Sequence, residues 1–312
     1  MCGIAGLASP GSPRPVDESL LRAMTDRLFH RGPDGSGVHV EPGIGLGHRR
    51  LSIVDLAAGH QPMYNEDDTV TVVFNGEIYT FPGLVEELAA LGHRFRTRCD
   101  TEVILHAWEE WGPACLQRFN GMFAFALWDR NRRQLFIARD RLGVKPLYYA
   151  FLPGGTLAFA SELKSLELHP DLPRQVSARA IEDYLTFGYV PDPATIYRDV
   201  HKLAPGHYLL VDFAGGGHAV RCWWDIPAER FGSRPLPPAA AGTELLAQLE
   251  AATRRRLIAD VPLGAFLSGG VDSSAVVAMM ARITSDSVKT CAIGFDDPDY
   301  DAPVTFDGFA LR

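Results

Sequence analysis

MCGIAGLAS, residues 1–9, is the stretch on which the reading of the fold turns. A cysteine stands directly behind the initiator methionine, and Gly3-Ile4-Ala5-Gly6 runs into an apolar segment that predicts a strand over residues 2–9. A small residue at position two permits removal of the methionine. Cys2 would then be the first residue, with a thiol and a free α-amine on one carbon framework. A plain start to an edge strand explains the same letters, and these nine residues alone leave both readings open.

Working outward, Asp17 predicts an N-cap for a helix with Leu20, Leu21, Met24 and Leu28 on one face. HRGPDG (30–35) must end that helix, because Pro33 and its glycines break the pattern. Strands are predicted at TVTVVF (69–74), MFAFALWD (122–129), QLFIARD (134–140) and LAFAS (157–161). Helices are predicted at FPGLVEELAALG (81–92) and DTEVILHAWEEWG (100–112), the second opened by Asp100. No repeat of solenoid length is present. Strands grouped between helical pieces predict a layered α+β domain.

Length and composition set the bounds. A chain of 312 residues implies two domains at ~150 residues each. A composition of 46% hydrophobic and 22% charged residues is globular. A net charge of −8 and a pI near 5.7 argue against nucleic acid as a partner. No apolar run reaches the ~18 residues of a membrane span, and the N-terminus lacks the basic and apolar regions of a signal peptide. Cys2, Cys99, Cys115, Cys222 and Cys291 are dispersed without CxxC or CxxH spacing. An odd, scattered count predicts free thiols in a reducing cytoplasm, with neither a disulfide framework nor a metal cluster of cysteines.

Composition shifts after the first two hundred residues. AGGGH (214–218) and SRPLPPAAAG (233–242) have linker chemistry. TELLAQLEAATRRRLIAD (243–260) has helical spacing at Leu245, Leu246, Leu249, Ala252 and Leu257. PLGAFL (262–267) leads into SGGVDSS (268–274), then a helix over SSAVVAMMARI (273–283) and a strand over VKTCAIGF (288–295). Strand, glycine turn, helix, strand opens a parallel α/β sheet. Gly269 and Gly270 let the backbone approach a ligand closely, and the amides at the helix start attract an anion. The serine hydroxyls donate to phosphate oxygens, and Asp272 suits a divalent cation that bridges them. No GKS or GKT is present, so this is not a Walker A loop. A serine-rich turn with a capped helix is the plainer alternative.

These motifs carry a resemblance. MCGIAG, HRGPDG, HRRLSIVD (48–55), FNGEIYT (74–80) and CDTEVIL (99–105) together resemble the class II glutamine amidotransferases, which are N-terminal-nucleophile hydrolases. SGGVDSS resembles the pyrophosphate-binding loop of the ATP pyrophosphatases. The pair, in this order, is similar to the glutamine-hydrolysing asparagine synthetases of B type. The resemblance implies a four-layer αββα N-terminal-nucleophile hydrolase domain over 2–213, a linker over 214–242 and the start of a parallel α/β ATP-pyrophosphatase-like domain over 243–312. A complete nucleotide-binding domain needs ~150 residues, so the second domain is expected to be truncated, and the tail after about Asp301 loses the resemblance.

By the same resemblance, Cys2 attacks the side-chain amide of glutamine, with its own α-amine as base. Asn75 (side-chain amide) and Gly76 (backbone N–H) stabilise the oxyanion. Arg50 offers a bidentate fork to the substrate carboxylate; Glu77 and Asp100 face its ammonium; Leu51, Ser52, Ile53 and Val54 supply backbone and wall. Leu267, Ser268, Gly269, Gly270, Val271, Asp272, Ser273, Ser274 and, on the adenine side, Ile293 are the ATP positions, with Mg2+ at Asp272. The implied activity is ATP-dependent conversion of aspartate to asparagine through β-aspartyl-AMP, with ammonia from glutamine. Glutamine hydrolysis alone, or a ligase acting on another carboxylate, stands as the alternative, and a homodimer is left open. A sensor that keeps the glutamine pocket without chemistry is disfavoured by Cys2, Asn75, Gly76 and Asp100.

Read singly, Asp100 caps a helix, Glu77 is a solvated strand-end charge and Arg50 a surface base. Arg49 stands where an acidic residue is expected, which leaves the choice between the two arginines open. His30 and Arg31 read as supports of the glutamine site, and His48 as a structural histidine. RDRLGVKPLYY (139–149) reads as shaping a domain interface. Tyr184, Phe187 and Tyr189 read as core packing, the remaining cysteines as semi-buried fillers, and Arg254–Arg256 as a solvated helix face.

Overall fold

The computed structural model describes residues 1–11, 15–215, 217–227 and 237–293. The predicted tail after Asp301, part of the linker, and residues 294–295 of the last predicted strand lie outside them. The chain divides into two compact units, Met1–Ile226 and Pro227–Arg312.

In chain order, the first unit comprises β1 (Gly3–Ala8), α1 (Glu18–Asp26), β2 (Gly35–Glu41), β3 (Ile44–Arg50), β4 (Met63–Tyr64) and β5 (Val70–Ile78). Then come α2 (Phe81–Ala90), α3 (Asp100–Trp111), β6 (Gly121–Asp129), β7 (Gln134–Arg139), β8 (Tyr148–Phe151), β9 (Leu157–Ala160), α4 (Leu163–Leu166) and α5 (Ala178–Phe187). β10 (His201–Lys202), β11 (His207–Asp212) and β12 (His218–Cys222) complete it. One six-stranded sheet runs β10-β8-β9-β1-β3-β2, the other β12-β11-β7-β6-β5-β4, and every pairing in both is antiparallel.

Period-two alternation explains the layering. On β6, Phe123, Phe125 and Leu127 pack in the core that includes Leu84, Val103, Leu105 and Trp108 of α2 and α3. Ala124, Ala126 and Trp128 point the other way, into the core shared with Ile4, Ala8, Ile44 and Leu46 of the opposite sheet. On β1, Ala5 and Leu7 turn outward to Met24 of α1 and Leu166 of α4. The order is therefore helix, sheet, sheet, helix: the four-layer arrangement expected. β1 is no edge strand. It pairs with both β3 and β9, and all six of its residues are buried.

Most of the predicted elements form, with local differences. Asp17 caps α1, its carboxylate accepting from Leu20 N–H at 3.1 Å. Asp100 does not cap α3: Cys99 holds that position, and the Asp100 carboxylate accepts from Ile78 N–H at 2.9 Å. β5 extends four residues beyond the predicted strand, because Asn75–Ile78 stay in register with β6. β12, within composition read as linker, pairs with β11. Tyr184, Phe187 and Tyr189 are exposed, contrary to the core reading; on α5 only Ala180 is buried. Cys99 and Cys115 are buried fillers as expected, but Cys222 and Cys291 are exposed.

The second unit holds α6 (Pro238–Arg255), β13 (Gly264–Phe266), α7 (Val271–Ile283) and β14 (Lys289–Cys291). β13 and β14 pair in parallel, as predicted. α6 starts within the proline-and-alanine stretch read as linker, since proline is tolerated in a helix's first turn and alanine propagates it. Leu245 and Leu246, placed on its apolar face by spacing, are exposed. A small core joins Val277, Met280 and Val288 with Leu257, Ala265 and Leu267.

Candidate active site

Cys2 sits one residue ahead of the central strand β1, so the sheet fixes its position. Its thiol lies against Leu51, 3.4 Å from the backbone N–H and 3.7 Å from the carbonyl oxygen. Arg31 Nε donates to the Cys2 carbonyl at 2.9 Å and Nη1 reaches Glu162 at 2.8 Å, while His30 meets the same carboxylate at 2.9 Å. HRGPDG thus braces the cysteine, in line with its reading as a support. Burial pushes the Cys2 thiol above its ordinary pKa, against the pull of the Leu51 N–H. Burial also lowers the amine pKa at Met1.

Cys2 opens on a cavity of about 130 Å3 lined by Met1, Arg50, Leu51, Ile53, Val54, Asn75, Gly76, Glu77 and Asp100. Segments far apart in the sequence converge here: the loop after β3, the end of β5, and the start of α3. Ser52 is outside the lining; its N–H donates to Asp34 at 2.8 Å. Asn75 is fully buried, and both its side-chain oxygen and nitrogen lack a hydrogen-bond partner among the described residues. Such a group is costly unless a ligand satisfies it. Gly76 is required by its neighbour: a Cβ there would lie 2.4 Å from Met122 O and 2.7 Å from Phe123 Cα.

The two arginines separate. Arg49 donates to Gly32 O at 3.1 Å, pairs with Asp26 and stacks over Phe29, away from the cavity lining. Arg50 lines the cavity; Nη1 and Nη2 hold the carbonyls of Val54, Asp55 and Leu56 at 2.7–3.3 Å. Three N–H groups thus shape the loop, and among the described residues Nε and the remaining Nη1 hydrogen are left for a ligand. Opposite in charge, Glu77 and Asp100 are both pushed up in pKa, chiefly by burial, and Asp100 raises Glu77 further. His48 is buried with Nε2 against Phe74 O at 3.0 Å; burial holds its pKa down to about 3, so it stays neutral and structural.

Several lining groups are absent from the sequence reading. Lys145, in the stretch read as interface, is buried beside Glu77, and burial lowers its pKa. Its loop is clasped by Asp140, whose carboxylate accepts from the N–H groups of Phe123, Leu142, Val144 and Lys145 at 3.0–3.1 Å. Gln61 accepts from Phe74 N–H at 2.6 Å and donates to Thr101 Oγ1 at 3.2 Å, tying β5 to α3. Only an aspartate and lysine bracketing a glycine turn hint at the first of these. Nothing marks the second.

With that geometry in place, the comparisons decide the family. The model of the glutamine amidotransferase domain matches residues 1–224. The chain belongs to that family. The model described as asparagine synthase matches residues 244–304. Among curated relatives of this chain, asparagine synthetase [glutamine-hydrolyzing] 3 of Bacillus subtilis is 39% identical over 284 residues, 90% of this chain and 45% of the relative. Asparagine synthetase [glutamine-hydrolyzing] 1 of the same species is 35% identical, covering 96% and 47%, and enzyme 3 of Arabidopsis thaliana is 36% identical, covering 94% and 45%. The chain spans about half the length of these relatives. The solved glutamine phosphoribosylpyrophosphate amidotransferase of B. subtilis aligns with a TM-score of 0.52 at 17% identity over 93% of this chain and 65% of that one, a likeness of fold.

In the second unit, residues 268–274, at and just before the start of α7, are exposed apart from half-buried Ser273. Gly269 has φ +80°, a value favouring glycine. Ser268 and Ser273 hydroxyls are 3.1 Å apart, and Ser273 Oγ donates to Gly270 O at 3.2 Å. Asp272 is exposed in the first turn of α7, where the leading amides have no acceptor within the helix. Leu267 N–H donates to Cys291 O at 2.9 Å, and Ile293 is exposed.

Proposed function

We propose that this chain hydrolyses glutamine at Cys2 and passes the ammonia to an ATP-dependent amide synthesis, making asparagine from aspartate. The observation that carries the first step is the Cys2 thiol beside a buried Asn75 amide that has no partner among the described residues. Removal of Met1 frees the Cys2 amine, and Cys2 is more buried than Met1, so its amine is disposed to be a neutral base. That amine takes the thiol proton as sulfur attacks the amide carbon. Asn75 Nδ2 and the Gly76 N–H stabilise the oxyanion, each donor contributing about 3 kcal/mol. The C–N bond breaks, ammonia leaves with the transferred proton, and water cleaves the thioester to glutamate. Arg50 orients the substrate carboxylate, and Glu77 with Asp100 orients its ammonium.

For the synthetic half, Gly269, Gly270, Ser268, Ser273 and Ser274 suit ATP phosphates, with Leu267 and Ile293 toward the base. The exposed Asp272 fits Mg2+, which when bound neutralises charge on the leaving pyrophosphate. Aspartate activation as β-aspartyl-AMP is the chemistry this loop suits. Glutamine hydrolysis without synthesis is the second reading, favoured by the Cys2 cavity being lined by residues of the first unit alone.

One incubation with glutamine, aspartate, ATP and magnesium, followed for glutamate, asparagine and pyrophosphate, tests both. Glutamate, asparagine and pyrophosphate together support the full reading. Glutamate alone supports the second. No product from chain whose intact mass lacks Met1 overturns both.

A further inference from the structure

Outside the cavity, the segment after α2 and the second and third turns of α3 bring two imidazoles and a carboxylate together. His93 Nδ1 and His106 Nδ1 are 3.2 Å apart; Glu109 Oε2 is 3.2 Å from His106 Nδ1 and 3.6 Å from His93 Nδ1. Glu66, between β4 and β5, places Oε1 4.0 Å from His106 Nδ1. Ligand atoms around a tetrahedral ion with bonds of 2.0–2.1 Å stand about 3.3 Å from one another, close to the spacing of the first three.

The groups behind these atoms are arranged for the same task. A histidine ligand usually offers its second ring nitrogen to a carboxylate. His93 Nε2 faces Glu110 at 3.4 Å and His106 Nε2 faces Glu102 at 3.7 Å. His106 is buried, and its Nε2 has no hydrogen bond among the described residues. Glu109 commits Oε1 to Asn65 Nδ2 at 2.7 Å, leaving Oε2 directed at the imidazoles. Asn65, Glu66 and Glu109 also line an open groove of about 420 Å3, so the two carboxylates face solvent-accessible space.

We propose that His93, His106, Glu109 and Glu66 form a binding site for a divalent transition-metal ion of the zinc type. Two neutral imidazoles and two carboxylates leave the bound dication electrically balanced. The ion joins three separate segments at helix α3, whose first residue is Asp100, so its role is to fix that helix. Imidazole and carboxylate suit zinc or cobalt better than calcium or magnesium. Imidazole and carboxylate ligate in their unprotonated forms. Metal and proton therefore compete, and affinity rises with pH.

The test uses the full chain, stripped by chelator and titrated with Zn2+ alone against a chromophoric competitor, and separately with Co2+. One equivalent is expected to bind, with tighter binding at pH 8 than at pH 6 and a tetrahedral cobalt spectrum lacking thiolate charge transfer. His93→Ala is expected to weaken zinc binding ~100-fold and Glu110→Gln ~10-fold. Glu109→Gln, which keeps shape and the Asn65 contact, serves should His93→Ala not fold. Absence of stoichiometric binding overturns the proposal. So does zinc binding left unchanged in His93→Ala and Glu109→Gln, which would assign the metal to the cysteines.

Discussion

Replacing Asn75 with alanine separates catalysis from stability more cleanly than any other change in the cavity. Asn75 lies in β5, and its backbone pairing with Ala124 of β6 does not depend on the side chain. The side chain is fully buried with neither polar atom partnered among the described residues, so Asn75→Ala breaks no hydrogen bond among them. Carrying an unpartnered buried polar group costs ~1–3 kcal/mol, and truncation relieves that cost while enlarging the adjoining cavity. The expected net is no loss of stability or a gain of about 1 kcal/mol, seen as a rise in Tm of ~2–4 °C for a domain of this size. The expected catalytic effect is opposite: loss of one oxyanion donor lowers kcat for glutamate release ~10²–10³-fold, or ~2.7–4 kcal/mol. Thermal unfolding by circular dichroism and a coupled glutamate assay on the same preparation give both numbers. A Tm drop of many degrees alongside the rate would refute the reasoning, since it would make Asn75 a structural residue. A rate within ~5-fold of the parent would refute it equally, since one oxyanion donor is worth more than that.

Other outcomes follow from the same cavity. Glu77 and Asp100 bind protons more tightly folded than unfolded, because their pKa values are raised; stability should fall as pH rises from ~4, the unfolded carboxylate range, and level off above the folded values. Glu77→Gln should flatten much of that decline in a series of Tm against pH. Only the ionised pair attracts an ammonium, so KM for glutamine should fall over the same rise in pH. Lys145→Met, which removes a cation beside Glu77, should move that fall to higher pH, and an unchanged profile would place Lys145 outside the electrostatics. Gly76→Ala pushes a Cβ into the backbone of β6 and should cost about 2–3 kcal/mol, a Tm loss of ~4–12 °C measurable by differential scanning fluorimetry.

How far the sequence could be read depends on whether a residue's role is local. Cys2, Arg50, Asn75, Gly76, Glu77 and Asp100 were reached through motifs that together resemble one family, and the fold brings all of them to one cavity. The layering was legible too, because alternation along segments such as 122–129 survives as two different cores. Lys145 and Gln61 were not, because their place in the cavity depends on long-range partners, Asp140 bridging to Phe123 and Thr101 bridging to Gln61. His93 reads as an ordinary loop residue until α3 brings His106 beside it. β12 falls in a stretch read as linker for a related reason: glycine-rich composition at 214–218 also suits a hairpin, and β12 pairs with β11. The aromatics of α5 have helical spacing, but spacing cannot tell which side, if any, is covered.

Cys2 is tethered to a strand that is buried along its whole length and held on both sides, and Met1 lines the same cavity. Residues ahead of position two therefore share space with whatever that cavity admits. Handling of the protein inherits this. An affinity tag fused upstream of Cys2 would act as a built-in stopper even when the fold is perfect, and on the proposed reading a preparation's activity per milligram would gauge how thoroughly its host has trimmed it.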